Sequence, residues 1–573
     1  MSVPHQSQPA SSGGPSPVPP QASEATRLLC AGVYLDPDYR DRVIEELYLH
    51  EQRIVAPSLG FDAARVLAHA LRARRAGVYW SAAVVGLWIV GCVLTSGLMA
   101  FLLVPSLLLA FADALHSDDP QVSTVRKATA RAAHWVGRMT FAALLIVVPV
   151  MVVPVMVVLI AAKSGDAEAL LLLLLVLIPL ALFAAIAVCA GRQRGQFARA
   201  LNAELSPDRF ADIASDPAER AVSPRLKRLK QRIRQEQHAP LILYRESRPF
   251  CGSGRAYDTW VLAVEMRPAE GRTPRPLSNR IVLDTVRPLL ESLRLPPEYA
   301  GHLVRDRLRW LEIDECVFLP AEGLPRREDA PYDAFAHHRD RALEEGAERR
   351  RHFLRVRVGG WEENLVVTVY VRIHTQGRML MLEVVPHVLM PVREDFRDAD
   401  RIAHQLRTSS LLAKATWMVG QVPGATIRSV AVLFRAVWHG WQLLTGEHRD
   451  ALPDGPVLSV RELGSAGTGS LFQQMDVDRY LRSIQDRIAH GVRTALSEHG
   501  YETGEFVQKV VNISNGGVYI DSVEDSTFAI GTHARAASGA GAPSQDTSST
   551  TGGHRPNTAL KKEKGSGSDE HGG

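Results

Sequence analysis

The chain has 573 residues, room for several domains, and a formal net charge of +4, too small to suggest a nucleic-acid binder. Arg supplies 57 of its 66 basic residues, which together with abundant Ala points to a GC-rich bacterial genome. Cys30, Cys92, Cys189, Cys251 and Cys316 are widely separated and form no CxxC or Cys/His spacing, so neither a disulfide framework nor a zinc site is expected.

Residues 1–23 are rich in Pro, Ser, Gly and Gln and lack the basic start and apolar core of a signal peptide, so they read as a disordered tail. Residues 24–76 form a cytoplasmic helical lead-in. Within it, 37–52 and 61–75 are amphipathic helices broken at Pro57, the second capped by Asp62.

No charged residue occurs from Ala76 to Ala112. A helix of that length would measure about 55 Å at about 1.5 Å per residue, against a hydrocarbon core of about 30 Å. Thr95, Ser96 and Gly97 therefore turn the chain between two spans, at 78–95 and 97–114. Tyr79 and Trp80 open the first, where interfacial aromatics are expected. Apolar runs at 139–162 and 169–191 complete a four-helix transmembrane domain over 77–191. Arg72, Arg74 and Arg75, then Arg126, Lys127, Arg131 and Arg138, then Arg192, Arg194 and Arg199 all fall on one side only with four spans. That predicts a multi-pass protein of the bacterial plasma membrane with both termini in the cytoplasm. The spans hold almost no ionisable residues, which favours an anchor over a transport path.

A basic juxtamembrane linker, 192–238, follows. Ser223-Pro224 starts a helix with Leu226, Leu229 and Ile233 on one face. Its Arg225, Lys227, Arg228, Lys230, Arg232 and Arg234 are candidate contacts for lipid headgroups, or an ordinary solvated helix face.

Residues 240–450 read as a cytoplasmic α+β domain. Leu241 to Tyr244 and Thr259 to Met266 are strands around the loop 248–254. Gly252-Ser253-Gly254 could let a backbone approach a phosphate, but without a third glycine or Gly-Lys-Ser/Thr a connecting turn is favoured. Helices are expected at 278–294 and 299–311. Leu354 to Val358, Leu365 to His374 and Met379 to Met390 make an antiparallel meander turning at Gly359-Gly360 and Gln376-Gly377. Leu365, Val367, Val369, Val371 and Ile373 alternate with Val366, Thr368, Tyr370, Arg372 and His374, as a half-buried strand requires. His337, His338, His374 and His387 lack metal-ligand spacing, and Glu362 and Glu363 read as solvated. No catalytic, cofactor-binding or metal residue is nominated.

Residues 398–418 and 426–444 are expected as two helices. The second carries Trp438 and Trp441 and either packs in the core, the favoured reading, or lies at the membrane interface. An amphipathic helix at 476–500, capped by Asp476 or Asp478 and ended by Gly500, carries Tyr480, Ile484, Ile488, Val492 and Leu496 as one stripe. With short strands at 510–513, 518–520 and 527–531 it makes a segment 471–531. A cytoplasmic protein partner or self-association through 476–499 is expected. Residues 534–573 form a disordered tail.

The segments Arg479-Tyr480 to Gly500-Tyr501, Asn515 to Ile520, Ala529-Ile530-Gly531 and Pro240 to Gly254 resemble a family of actinobacterial, Streptomyces-type integral membrane proteins. That resemblance implies a bacterial inner-membrane setting and brings no activity to carry over. The expected function is a membrane-anchored scaffold or sensor, not an enzyme. The alternative is a membrane-bound enzyme with its active site within 240–390.

Overall fold

The protein folds as helices around a curled mixed sheet. The computed structural model describes residues 19–94 (except 59), 166–294 (except 221–222) and 308–514, apart from 309, 328–329, 345–347, 361–364, 409 and 446–450. A few isolated positions between 107 and 140 are also described. One compact unit runs from Met1 to Val511 and a second from Asn512 to Gly573.

The lead-in begins with α1 (Glu24–Leu35), a helix that the sequence reading left unassigned. Ser23 caps it by accepting from the Thr26 N–H at 3.2 Å. Asp36 caps α2 (Pro37–Ile44), which has Pro at its first position and ends in a π-helical turn at Glu45–Leu49. Asp62 starts α3 (Ala63–Leu94) as expected, its Oδ1 accepting from the Ala64 N–H at 2.9 Å. The expected second lead-in helix and first span are thus one unbroken helix of 32 residues.

Of the four expected spans, only α3 is long and apolar enough, among the described residues, to cross a membrane. The spans at 97–114 and 139–162 fall almost entirely outside the described residues. The fourth lies within α4 (Asp166–Arg199). α4 runs antiparallel to α3: Arg72 pairs with Glu204, Trp80 Nε1 donates to Gln196 Oε1 at 2.9 Å, and Trp88 meets Phe183 ring to ring at 5.9 Å.

The base of this helix pair is sealed by charge. Asp216 accepts from Arg65 Nε and Nη2 at 3.0 and 2.8 Å and from His69 Nε2 at 3.0 Å. Arg65 Nη1 donates to the carbonyls of Gln21 and Phe210, and its guanidinium stacks 3.6 Å from the Phe210 ring. These groups lie inside an apolar core built from α1, α2, the start of α3 and the chain after α4.

Ser223 caps α5 (Pro224–His238) as expected, with Leu226, Leu229 and Ile233 buried. Strands β1 (Leu241–Tyr244), β2 (Arg255–Ala256) and β3 (Trp260–Glu265) follow. Then come α6 (Asn279–Glu291), β4 (Leu311–Pro320), α7 (Phe335–Glu344), β5 (Arg351–Gly360), β6 (Leu365–Gln376) and β7 (Met379–Leu389). The sheet order is β1-β4-β5-β6-β7-β2, with β3 also on β7. β1 and β4 are parallel and every other pairing is antiparallel. β4 lies, beyond Leu311, in a stretch given no element in the sequence reading; the helix expected at 299–311 falls mostly outside the described residues.

The meander is as expected except at its first turn: Gly359 and Gly360, expected there, are strand residues paired with Val366 and Leu365, while Gly377, at φ 62°, makes the β6–β7 turn. β6 itself departs from the half-buried reading, because every residue from Leu365 to Ile373 is buried. One side of the sheet is filled by Phe318, Phe353 and Tyr370 under Phe250. Further packing comes from α6 and from a helix at 471–498.

Chain 398–445 forms α8 (Ala399–Thr408) and α9 (Leu411–Thr445); the helix reading at 426–444 is part of one 35-residue element. α10 (Leu471–Glu498) begins earlier than expected. Ser470 and Gln473 form its capping box, in place of Asp476 or Asp478. Gly500, at φ 81°, ends it, with the Tyr501 N–H returning to the Leu496 carbonyl at 2.9 Å. Gly491 lets α10 approach α6, since a Cβ there would lie 2.8 Å from Val286 Cγ2. The strand expected at 510–513 is helical, in α11 (Gly504–Ser514), because the stretch continues an amphipathic turn started at Gly504. Residues 518–531 lie outside the described residues.

Burial alone would raise the Asp216 carboxyl, but the His69 hydrogen bond and charge, the Ala218 N–H and Arg65 together hold it well below the usual carboxylate range. Its stabilisation is present above the unfolded carboxylate pKa and is lost as pH falls through the lower folded value. Asp216→Ala leaves Arg65 buried without its counter-charge and is expected to cost about 3–5 kcal/mol, measured by denaturant unfolding of the full chain.

Candidate functional site

The glycine loop weighed above as a phosphate site is already occupied by the chain itself. Gly252 and Gly254, at φ 100° and 95°, turn their N–H groups onto Glu462 Oε1 at 2.7 and 2.9 Å. Arg248 reaches the other oxygen at 3.2 Å. A Cβ at Gly252 would lie 2.7 Å from the Pro57 carbonyl oxygen, so the loop also fits closely against the lead-in. The result is an anion cradle filled by a carboxylate, which joins the sheet to the chain after α9.

Beneath the loop, Ser253 Oγ and the Tyr370 hydroxyl share a hydrogen bond of 2.7 Å, and Phe250 stacks on both Tyr370 and His387. Burial pushes the Tyr370 phenol and the Cys316 thiol each up to about 12 and takes His387 down to about 4. Burial also raises the Cys251 thiol. Thiols kept protonated in this way are poor nucleophiles. His337 and His338 sit together on α7, while His374 and His387 lie on separate strands. No cluster of three metal-ligating side chains occurs among the described residues. Tyr34, His69 and Asp216 are ordered like a proton relay, but they are buried and Arg65 already neutralises the carboxylate.

A second charged hub lies at Glu315 on β4. Its carboxylate meets His352 Nε2 at 3.2 Å, Arg280 at 3.4 Å and Arg287. The His352 hydrogen bond, followed by the nearby arginines, overcomes burial and takes this carboxyl down to about 2. The hub ties α6 to the sheet.

Of the six basic residues expected at lipid headgroups, three are held in ion pairs within the fold. Arg225 pairs with Glu51, Lys230 with Glu219, and Arg234 with Asp62 at 2.9 Å. Arg232 is half-buried and engaged, while Lys227 and Arg228 are exposed. The sequence shows the basic count, but not that acidic residues of the lead-in and of 217–220 face it.

The long helices are the less expected feature. The C-terminal end of α3 exposes Ile89, Val90, Val93 and Leu94. On α9, Val430, Phe434, Val437, Trp438, Trp441 and Leu444 recur at helical spacing on one exposed face; Phe434 is 69% and Leu444 86% exposed. α9 packs on α3 and α4, with Val422 joining Trp88, Phe183 and Ile186 in one apolar cluster. A cavity of about 510 Å³ lies where α2, α3, α4 and α9 meet. It sits beside Arg74, at the point where the apolar part of α3 begins.

Comparison with known proteins bears on the sheet and its helices. Residues 259–527 match the family model described as an AbeC-like domain. The AbeC-like region holds β3 to β7, α6, α9 and α10, just under half of the chain, and leaves out α3 and α4. No curated protein and no solved structure matches the chain.

Two expectations follow. Glu462→Ala strands two backbone donors and is expected to cost about 1–3 kcal/mol in urea unfolding, with Glu462→Gln costing less because an acceptor remains. The Glu315 contribution is complete above an ordinary carboxylate pKa of about 4.3 and disappears as pH falls towards the folded value of about 2. Replacing Glu315 by Gln should therefore flatten the melting-temperature profile across that interval.

Proposed function

We propose that this chain is a membrane-anchored interaction and regulatory protein, in which the long helices seat an α+β domain at the bilayer surface. The observation that carries this reading is the exposed apolar surface of α3 and α9, which a bilayer would cover. α3 alone amounts to about 48 Å at about 1.5 Å per residue. That is enough to cross the hydrocarbon and still root its first turns in the charged core.

The antiparallel pairing of α3 with α4 supports a return of the chain to its starting side, hence an even number of crossings. Four is the number that keeps the three basic clusters together. In this reading the setting is a bacterial plasma membrane, with both termini in the cytoplasm. Trp438 and Trp441 on α9, both exposed, suit the interface, the alternative that the sequence ranked behind packing in the core.

The stripe expected to bind a partner is mostly consumed within the chain: Ile484, Ile488, Val492 and Leu496 are buried. Leu471, Phe472 and Met475, at the start of the same helix, stay exposed, and we assign partner contact or self-association to that first part of α10.

Flotation with neutral phosphatidylcholine vesicles and alkaline extraction of native membranes test the anchor. The full chain should float and resist extraction. Phe434→Asp with Trp438→Asp should weaken flotation while leaving extraction resistance, since α3 stays inserted. Full release of the unaltered chain at alkaline pH would remove the anchor reading.

A further inference from the structure

The cavity among α2, α3, α4 and α9 has an imbalance of charge that the chain does not resolve. Five guanidinium groups line it, from Arg40, Arg74, Arg194, Arg428 and Arg435, against the single carboxylate of Asp41. Asp41 is shared, by Arg435 at 2.8 Å and Arg40 at 3.4 Å. Arg428 has its own interaction. Arg194 places its guanidinium carbon 3.7 Å from the centre of the Trp417 ring and pairs with no carboxylate among the described residues. Arg74 is half-buried and makes no hydrogen bond or ion pair among the described residues.

A guanidinium withdrawn from water without a paired carboxylate carries a desolvation cost, and two line one cavity here: Arg74 feels Asp41 only at a distance, since Asp41 is in contact with Arg40 and Arg435. His439, which lines the same cavity, adds a further sign, for its buried Nδ1 has no hydrogen-bond partner among the described residues. The remaining wall supplies Ser81 and Ser429 hydroxyls beside apolar side chains. Planar, multi-donor guanidiniums are suited to phosphate oxygens.

We infer that this cavity binds a phosphate-bearing anion through Arg74 and Arg194, with an anionic phospholipid headgroup as the source that its position favours. The choice of source rests on the membrane reading above. The cavity opens beside the first turns of the apolar part of α3, the depth at which headgroups lie. Apolar wall next to basic wall suits a headgroup with its glycerol and upper acyl chain. The site differs from the six α5 residues, of which three are spent in ion pairs.

The test uses the full chain in a neutral detergent, so that anion binding is read independently of insertion. Short-chain phosphatidylglycerol, short-chain phosphatidylcholine and inorganic phosphate are titrated separately and followed by thermal shift. Phosphatidylglycerol should stabilise the protein and phosphatidylcholine should not. Arg74→Gln with Arg194→Gln should weaken that binding about tenfold or more, the loss expected when charge-assisted hydrogen bonds are removed. Arg74→Lys, which keeps the charge, should recover part of it. Arg479→Gln, on α10, should bind as the unaltered chain does.

Equal stabilisation by inorganic phosphate alone would keep the anion site and overturn the lipid source. No response to either anion, or a response unchanged in the double variant, would overturn the site. Should the double variant fail to fold, mass spectrometry of the unaltered chain from native membranes decides. Retained anionic phospholipid supports the lipid source, and its absence argues against it. Flotation on phosphatidylcholine vesicles reports the anchor separately, so an anchored chain that ignores phosphate would refute only the cavity.

Discussion

The buried contact of Asp216 with Arg65 and His69 is the constraint around which the helical half is arranged. Three pieces of chain converge on it: the residues before α1, the first turns of α3, and the segment after α4. Charged groups removed from water are tolerable only when their hydrogen bonds are satisfied. Here Arg65 spends its donors on one carboxylate and two carbonyls, and Asp216 also takes the Ala218 N–H. Arg27 repeats the device nearby, bridging Glu24, Asp400 and the Leu205 carbonyl. Such contacts need a fixed geometry, so they determine where α3 and α4 emerge and how α8 lies against them.

The sheet is held by a different balance. Burial of β6 on both faces makes packing its main support, with Gly491 setting the distance between α6 and α10. Polar clamps then fix the helices and loops around it. Glu315 holds α6, and Glu462 holds the glycine loop, each carboxylate meeting several donors. Glu46, buried in the lead-in, likewise accepts from the N–H groups of Val457 and Leu458, so the segment after α9 is gripped from two sides.

Much of the local structure was legible in the residues. Asp62, Ser223-Pro224 and Gly500 mark helix ends by chemistry that acts within a few positions, and each does so in the structure. The meander was legible for the same reason, since strand periodicity and Gly377 are local signals. The second cover on β6, the strand at β4 and the helix through 510–513 depend on what packs against them, which no short window reports. The candidate sites follow the same division. The basic run of α5 was visible, but its partners Glu51, Asp62 and Glu219 lie elsewhere in the chain. Arg74 and Arg194 were read only as topology markers, because their lining of one cavity from α3 and α4 is a tertiary event.

The continuity of α3 has a mechanical side. No proline, bulge or break separates the turns that carry Arg65 and His69 from those that expose Ile89 and Val93. If the outer part lies in lipid, a change in bilayer thickness must be met by tilt. A rod without a hinge passes that tilt inward undiminished, to the sealed charges and the body built on them. The protein would then register the state of its membrane as a change in posture, without any loop having to move.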